Sequence, residues 1–297
     1  MKLSLSQIWK HPRFRFLLKI LFSIAALWFV YARVDLTAVL QLTGTIPVYV
    51  FILSLVLYNA SQVMSSKRLL LFLHKESINI SYVENLKLYY QGMYYNLLLP
   101  GGVGGDGYKA YRFKKDGGIP VKHSVRALLT DRVNGAMALL ILSASGTLLI
   151  PNFWLTDLKI WIALSMVLAL LVSGVFIIEF FEHYSSVWWK ALGFSLLIQG
   201  LQVVGVVLLF YALQVESSYL PAYAAAFLAG SLASAIPVTV GGLGARELVF
   251  IYAAKILAIN TEKAVAVATL FFFLHVISSL PGLFVSARAD FINPTPT

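Results

Sequence analysis

A proline- and glycine-rich segment occurs twice in this sequence, at an offset of 137 residues. The first copy runs from Pro100 to Lys109 (PGGVGGDGYK) and the second from Pro237 to Arg246 (PVTVGGLGAR). Both copies begin with proline, share a valine and end on a cation, and the glycines that they share are Gly104, Gly105 and Gly107 in the first and Gly241, Gly242 and Gly244 in the second. Because an unusual segment recurs at a fixed offset, we interpret it as part of an internal repeat.

Composition decides the environment in which this repeat must fold. The chain has 297 residues, 59% of them hydrophobic and 12% charged, whereas a soluble domain carries about 25% charged residues. These values predict a polytopic membrane protein. The absence of cysteine excludes disulfides, thiolate metal sites and a cysteine nucleophile. The net charge of +10 comes from short basic blocks beside apolar stretches, which favours topology signals and anionic headgroups, and not nucleic acid, as the partners of these cations.

Six apolar stretches are long enough to cross a bilayer, which takes about 20 residues. The predicted spans are residues 16–34, 46–66, 127–150, 158–178, 191–213 and 263–286. Residues 1–19 carry cations and no acid, so the positive-inside rule places the N-terminus in the cytoplasm. An even number of crossings then places the C-terminus on the same side.

The two copies of the motif lie within residues 81–113 and 218–250, which align without gaps at the same offset. The first of these segments is interrupted by polar residues and has basic blocks on both sides, so we expect it to enter from the cytoplasm, break at the Pro-Gly motif and return. Non-helical backbone at membrane depth survives only where protein or water covers it. We therefore predict two re-entrant hairpins that line a cavity.

The number of spans between the hairpins fixes their relative orientation. Three predicted spans separate them, and since three is odd, the hairpins must enter from opposite faces. Residues 1–150 and 151–297 each contain the order span, span, hairpin, span. This is an inverted-topology repeat, the architecture that many transporters build around a site at the bilayer midplane. The predicted fold is therefore an all-α polytopic membrane protein with six spans and two re-entrant hairpins.

The repeated motif suits the binding of an anion. Glycines permit positive φ and close backbone approach, and a helix that starts after them presents N–H groups and the positive end of its dipole. With Lys109 and Arg246 adding full charges, the two hairpin tips are predicted to form one anion site. The alternative is that the glycines only allow tight helix packing. The match of residues 102–107 to GxGxxG is rejected as a dinucleotide site, since no strand precedes it.

Other ionisable residues lie close to the motif or inside the predicted spans, where charge is costly and marks function or a specific partner. Arg112 and Arg132 are predicted to attract an anionic headgroup at the cytoplasmic mouth. Asp106, Glu247 and Asp131 are candidates for proton coupling. For Asp131, Arg132 and Glu247 a structural ion pair is an equally good interpretation.

Two further features have competing interpretations. The cluster Tyr89, Tyr90, Tyr94 and Tyr95 is typical of an aromatic belt at the membrane interface, and lining a sugar- or lipid-binding groove is the alternative. His275, alone on an apolar face, is interpreted as a hydrogen-bonded packing residue. The sequence contains no HExxH, GxSxG or paired-carboxylate motif, so we expect no catalytic residue, no metal site and no cofactor.

Three segments carry a resemblance to a known family: residues 96–112, Asp131-Arg132 and residues 237–247. They resemble the lysylphosphatidylglycerol synthase transmembrane (flippase-like) family. The resemblance implies a protein of the bacterial inner membrane that moves lipids, aminoacylated phosphatidylglycerol in bifunctional members and polyprenyl-linked sugars or hopanoids in others. Bifunctional members carry a soluble aminoacyl-transferase domain after the spans. Because this sequence stops at Thr297, we expect lipid translocation and not lysyl-lipid synthesis.

Together, the sequence predicts a lipid flippase that does not hydrolyse nucleotides. Its substrate is expected to be a lipid with an anionic headgroup, either a polyprenyl-phosphate sugar or a phospholipid, with the headgroup held between the hairpin tips. One alternative is a membrane enzyme acting on a polyprenyl-phosphate lipid. Another is a non-transporting partner of a separately encoded lipid-modifying enzyme. The sequence leaves the lipid, the direction of transport, the driving ion and the oligomeric state open.

Overall fold

The computed structural model describes residues 35–98, 103–150, 182–235 and 245–285, together with Trp28, and every regular element in these ranges is a helix. The all-α prediction is therefore confirmed for the described part of the chain. Its α-helices are α1 (Leu36–Thr45), α2 (Val48–Lys75), α3 (Tyr82–Leu98), α4 (Gly104–Gly117), α5 (Val121–Leu148), α6 (Ser185–Ala212), α7 (Leu220–Ala235), α8 (Ala245–Leu257), α9 (Thr261–Ser279) and α10 (Pro281–Phe284). Short 3-10 turns, Glu182–Tyr184 and Ser217–Tyr219, precede α6 and α7.

Four of these helical segments are long and apolar enough to cross a membrane. They are Val48–Lys75, Val121–Leu148, Glu182–Ala212 and Thr261–Phe284. Each overlaps one predicted span: residues 46–66, 127–150, 191–213 and 263–286, respectively. The remaining two predicted spans, 16–34 and 158–178, lie outside the described residues.

Three helices extend beyond the predicted spans. Helix α2 continues nine residues past position 66, α5 begins six residues before position 127, and α6 begins six residues before position 191. Hydropathy reports the apolar part of a helix and not the helix itself. The backbone stays helical where the side chains become basic, as at Lys67 and Arg126, because long cationic side chains are good helix formers.

Local sequence explains where several helices begin and end. The carboxylate of Asp35 accepts hydrogen bonds from the backbone N–H of Thr37 (2.8 Å) and Ala38 (3.2 Å) and so caps α1. Asn260 caps α9 in the same way, through the N–H of Lys263 (2.8 Å). Such caps satisfy backbone donors that the first helical turn leaves unpaired. Gly118 ends α4 with a φ of 65°, a conformation that glycine adopts without steric cost.

The candidate spans pack through small residues. Helices α2 and α6 lie against each other, and a Cβ at Gly205 would be 3.7 Å from the backbone of Ser54. The Ser54 hydroxyl donates a hydrogen bond to the carbonyl of Gly205 (3.0 Å) across this contact. Such close approaches drive helix association in membranes, because lipid tails are as apolar as leucine and offer no hydrophobic gain.

The segments predicted as hairpins form two helix pairs, α3 with α4 and α7 with α8. In the first pair Asn96 contacts Gly105 near the break, and Tyr89 contacts Lys109 farther from it, so the chain turns back on itself. Helices α4 and α8 end at Gly117 and Leu257, beyond the predicted hairpin segments 81–113 and 218–250. The predicted breaks lie within residues 99–102 and 236–244, which are outside the described residues.

Helix α3 of the first pair contacts α10, the last described helix, through backbone atoms. A Cβ at Gly282, in α10, would overlap the carbonyl of Tyr90 in α3. The amide of Gln91 donates to the carbonyl of Val285 (2.6 Å), just after α10. Helix α10 follows α9 without a long connection, so α3 and the last candidate span are held together by backbone contact and not only by side chains.

Candidate functional site

A polar cavity of ≈ 330 Å³ lies among α2, α3 and α5 to α9. The four candidate spans each contribute a lining residue close to the middle of the helix: Gln62 in α2, Arg132 in α5, Gln199 in α6 and Phe271 in α9. The cavity therefore lies at about mid-length of the bundle. An adjoining cavity of ≈ 390 Å³ shares Gln62, Arg132 and Gln199 in its lining, so the two form one continuous polar region.

The side chains of the 330 Å³ cavity, hereafter the central cavity, are mostly polar and uncharged. Its two cations are Arg132 and Arg246. Amides, hydroxyls and an imidazole supply the remaining polar groups, from Gln62, Asn96, Gln199, Gln202, Tyr58, Ser231, Ser234 and His275. Among the described residues that line it, none is a carboxylate. The polar surface of the cavity is thus positively charged and rich in hydrogen-bonding groups.

Arg246, the second residue of α8, is held by aromatic rings. Its guanidinium carbon lies 4.5 Å from the ring centroid of Phe271 and 5.7 Å from that of Phe227, distances at which a cation is attracted to the face of the ring. Gly230 on α7 leaves room for it, since a Cβ there would come within 3.0 Å of the Arg246 side chain. The Nε of Arg246 is buried and has no hydrogen-bond partner among the residues that the structure describes. A buried donor without a partner is typical of a site that a ligand completes.

Lys109 and Arg132 share a single carboxylate. Asp106 accepts a hydrogen bond from the Lys109 ammonium (3.2 Å) through one oxygen and pairs with the Arg132 guanidinium through the other. Lys109 also lies 4.5 Å above the ring centroid of Tyr89. Two cations and one anion leave this cluster with a net positive charge. Arg132 lines the central cavity and Lys109 does not, so Asp106 connects α4 to the cavity wall.

Asp131, although it adjoins Arg132 in sequence, belongs to a different network. It forms two hydrogen bonds with the buried Arg68, of 2.7 and 2.9 Å, which join α5 to α2. Arg68 also donates to the hydroxyl of Ser195 in α6 (2.8 Å), and Ser195 donates to Asn134 (2.6 Å). Asp131 therefore forms a structural ion pair, one of the two interpretations that its sequence position allowed. Removing one partner of such a buried pair costs about 3–5 kcal/mol.

The start of α4 is arranged differently from the predicted open anion site. The backbone N–H of Gly105 donates to the side-chain oxygen of Asn96 (2.7 Å), which occupies one of the donors of the first helical turn. A Cβ at Gly105 would overlap the carbonyl of Gly92, so this glycine is needed for packing between α3 and α4. No atom of the described residues lies within 4 Å of a Cβ at Gly107, so packing against them does not explain that glycine.

The other predicted site residues are not part of the cavity lining or lie beyond the described ranges. Arg112 pairs with Asp116 on its own helix and donates to the hydroxyl of Tyr108 (2.9 Å). Gly104 is the first residue of α4. Glu247 is buried, with 5% of its surface exposed, and does not line the central cavity. Gly241, Gly242 and Gly244 lie outside the described residues.

The tyrosine cluster is divided between two roles. Tyr89 lines the adjoining cavity and lies under the Lys109 ammonium. Tyr95 stacks on Tyr108 at a centroid distance of 4.0 Å and so contributes to packing within the first helix pair. Tyr90 donates to the side-chain oxygen of Asn59 in α2 (3.0 Å). Tyr94 packs edge-on against Tyr95. All four tyrosines therefore make specific contacts within the protein, which an interfacial belt does not require.

Sequence analysis missed most of the polar lining. His275 is hydrogen-bonded, through Nδ1, to the hydroxyl of Tyr58 (2.7 Å), as the packing interpretation expected, but both side chains also line the central cavity. The signal that could have found the rest is the presence of uncharged amides inside apolar helices, such as Gln199 and Gln202 at a spacing of three residues in α6. Polar residues within spans mark functional or partnered positions.

The comparison with protein families matches the chain over almost its entire length. The family model described as "Lysylphosphatidylglycerol synthase TM region" matches residues 16–184 and 179–282. The matched ranges include both copies of the Pro-Gly motif and every described residue of the central cavity. No curated protein is similar enough to count as a match.

Proposed function

We propose that this protein, which belongs to the lysylphosphatidylglycerol synthase transmembrane family, moves lipids with an anionic headgroup from one leaflet of its membrane to the other. Membership of the family supports a lipid-related function in a membrane. The substrate that we propose is a polyprenyl-phosphate sugar or a phospholipid. Its phosphate passes through the central cavity while its tails stay in the surrounding lipid.

The observation that carries this proposal is a pair of guanidiniums in a cavity at mid-length of four candidate spans. A charge at this depth is costly unless it has a partner or a function. Guanidinium groups bind phosphate through two parallel hydrogen bonds, and the unpartnered Nε of Arg246 is available as one of these donors. A phosphate group would therefore supply what the cavity lacks.

The arrangement of the helix pairs supports alternating access. Asn96 belongs to the first pair and Arg246 to the second, and both line the central cavity. We propose that the two pairs are re-entrant hairpins that reach this cavity from opposite faces, as an inverted repeat requires. Tilting one pair against the other would then open the cavity to either leaflet in turn.

Asp106 acts in this proposal as an internal substitute for the substrate phosphate. In the absence of lipid it pairs with Lys109 and Arg132; a phosphate that enters the cavity competes with it for Arg132. Asp106 and Glu247 remain the proposed proton-coupling residues. Asp131 is less suited to that task, because Arg68 holds both of its oxygens. We place the protein in a bacterial inner membrane with both termini in the cytoplasm, and we propose no nucleotide hydrolysis.

The test is a transport assay in vesicles that contain the purified protein and a phospholipid labelled on one acyl chain. We expect the wild type to equilibrate labelled phosphatidylglycerol between leaflets, and the double variant Arg132→Gln, Arg246→Gln to do so at least about tenfold more slowly, given the strength of charge-assisted hydrogen bonds. The matched control is Lys255→Gln, which removes an exposed cation from the same helix as Arg246. Equal rates for protein-containing and empty vesicles, with both phosphatidylglycerol and a polyprenyl-phosphate hexose, would reject the proposal.

The same vesicles separate transport from catalysis. Lipids extracted after the assay are analysed by mass spectrometry for changes in headgroup mass. A flippase leaves every lipid chemically unchanged. A new lipid product that depends on the protein would instead favour an enzyme acting on a phosphate-bearing lipid.

A further inference from the structure

We infer that the central cavity selects lipids whose phosphate carries an uncharged, hydroxyl-bearing headgroup and rejects headgroups that carry an ammonium; this inference rests on the proposed function and narrows its substrate. The shared chemistry is a phosphate ester of a polyol. Either a phospholipid or a polyprenyl phosphate could supply it, and the experiment below distinguishes these two sources.

The first argument is the charge of the lining. Arg132 and Arg246 bring two positive charges, and no carboxylate lines the cavity among the described residues. The acids near the cavity lie outside its lining: Asp106 pairs with Lys109 and Arg132, and Asp131 pairs with Arg68. Glu247, directly after Arg246, is buried behind the lining. An ammonium group that entered with the phosphate would lack an acidic partner and would be repelled by the guanidiniums. Like charges brought together in this way are a strong means of rejecting a wrong ligand.

The second argument is the hydrogen-bonding capacity that remains. The side-chain oxygen of Gln199 and the hydroxyl of Ser231 are both buried, and neither has a hydrogen-bond partner in the described part of the chain. The amides of Gln62 and Gln202 each donate to the Ser61 hydroxyl (3.1 Å), which fixes their positions. A hydroxyl group both donates and accepts hydrogen bonds, so it can satisfy amides and serines in either role. A ligand without hydroxyls would leave these buried polar groups unpaired, and that energetic cost allows the site to reject it.

The third argument is the available space. The central cavity of ≈ 330 Å³ and its neighbour of ≈ 390 Å³ share part of one wall. Their volumes lie near the lower end of the roughly 300–1,000 Å³ that is common for small-molecule sites. A phosphate at the guanidiniums therefore leaves room for a small polyol beside the amides of α2 and α6.

The decisive comparison uses phosphatidylglycerol and lysyl-phosphatidylglycerol with identical labelled tails, because the two differ only by the lysyl group. In vesicles containing the wild-type protein we expect phosphatidylglycerol to cross at least about tenfold faster, a factor that corresponds to a modest difference in free energy. A short-chain polyprenyl-phosphate hexose is assayed in parallel. Comparing its transport rate with that of phosphatidylglycerol shows whether a polyprenyl phosphate or a phospholipid supplies the polyol phosphate. Equal rates for the two phosphatidylglycerols, or faster movement of the lysyl lipid, would overturn the inference and leave the proposed function standing. Movement of no lipid at all would reject the proposed function itself.

A single substitution tests the charge argument directly. Gln199→Glu keeps the shape of the side chain and introduces a carboxylate beside the guanidiniums. It should raise the ratio of lysyl-phosphatidylglycerol to phosphatidylglycerol transport by about tenfold. Gln214→Glu, at an exposed position just beyond the same helix, is the matched control and should leave the ratio unchanged.

Gln202→Glu, at a second position in the lining, provides an independent test if the Gln199→Glu variant does not fold. Size-exclusion profiles in detergent show which of the two remains folded. An unchanged ratio in the folded variant would contradict the inference, and a shift of equal size in Gln214→Glu would contradict it as well, because the effect would then not arise in the cavity.

Discussion

Lys109 and Arg246 occupy equivalent positions in the two copies of the motif, but their surroundings differ. Each lies over an aromatic ring of the preceding helix, Tyr89 for Lys109 and Phe227 for Arg246. Lys109 pairs with Asp106, three residues earlier. The equivalent position in the second copy is a leucine, at 243. Within the described ranges, the buried Nε of Arg246 has no hydrogen-bond partner.

The difference indicates how a repeat can divide one task between its halves. Both copies retain the cation and the aromatic ring beneath it, which positions the charge. The first copy carries its acid, Asp106, inside the motif and hydrogen-bonded to the cation, whereas the second has a leucine at that position and carries Glu247 just after Arg246. We therefore expect the second copy to make the first strong contact with an anionic headgroup, and the first copy to respond by exchanging its own carboxylate for the phosphate.

The largest expected effect is the unequal cost of removing the two cations. Arg246→Gln should slow transport of phosphatidylglycerol at least about tenfold more than Lys109→Gln, because a hydrogen bond to a charged group is worth about 1.5–3 kcal/mol and only Arg246 lines the cavity. Initial transport rates in vesicles measure it. Equal slowing by both substitutions would remove the distinction between the two copies.

The substitution Asp106→Asn makes the first copy resemble the second. With the carboxylate gone, Lys109 and Arg132 lose their shared anion, and phosphate no longer has to displace it. We expect binding of phosphatidylglycerol to tighten several-fold, by about 1 kcal/mol, while transport slows because the lipid leaves less readily. Equilibrium binding to detergent-solubilised protein, measured beside vesicle transport, gives both quantities, and weaker binding would contradict the exchange of carboxylate for phosphate.

Substitutions at two nearby glycines distinguish a role in helix packing from a role in the approach of the ligand. Gly105→Ala should destabilise the protein by about 1–3 kcal/mol, the usual cost of overpacking, because its Cβ would overlap the carbonyl of Gly92. Gly107→Ala should stabilise it by about 0.5–1 kcal/mol, because alanine is the better helix residue and the space is open. Thermal unfolding in detergent measures both. If Gly107→Ala instead abolishes transport in a stable protein, that glycine serves the approach of the ligand.

The smallest expected effect concerns a carboxylate at the end of the bundle. Glu76, just past α2, accepts hydrogen bonds from Tyr184 and His123 and lies near Arg126. Burial alone would raise its pKa, but these two hydrogen bonds and the arginine charge outweigh burial and lower the pKa.

Since the folded-state pKa is lowered, the carboxylate contributes stability that is complete above the unfolded-state pKa of about 4.3. That contribution is lost as the pH falls through the lower folded-state pKa. Glu76→Gln should therefore be less stable than wild type near neutral pH, with a difference that shrinks below about pH 4.3. Thermal unfolding across this pH range checks it, and a constant difference at every pH would contradict it.

The sequence predicted the parts of the fold that depend on local pattern. Four apolar stretches correspond to candidate spans, and α3 and α4 lie on either side of the predicted break near Pro100, which is itself outside the described residues. The predicted cations at 132 and 246 line one cavity. Hydropathy could not place the basic ends of α2 and α5, because the cations there continue a helix without being apolar.

The contacts within the site depended on information that a linear pattern lacks. Asp131 and Arg132 are neighbours in sequence, but successive side chains on a helix point about 100° apart, so one faces Arg68 and the other Asp106. No spacing rule decides which. Likewise, Gln62 and Gln199 meet in one cavity although more than a hundred residues separate them. Only the packing of α2 against α6 brings them together.

Because Gly282 contacts the carbonyl of Tyr90 through backbone atoms, the first helix pair and the last candidate span would move together as one rigid unit. A tilt of α3 cannot be absorbed at that point, since backbone touches backbone, so α10 and with it α9 must follow. Helix α9 carries Phe271, the ring closest to the Arg246 guanidinium. The tilt that the proposed alternating access requires would thereby also move the ring that contacts the Arg246 guanidinium.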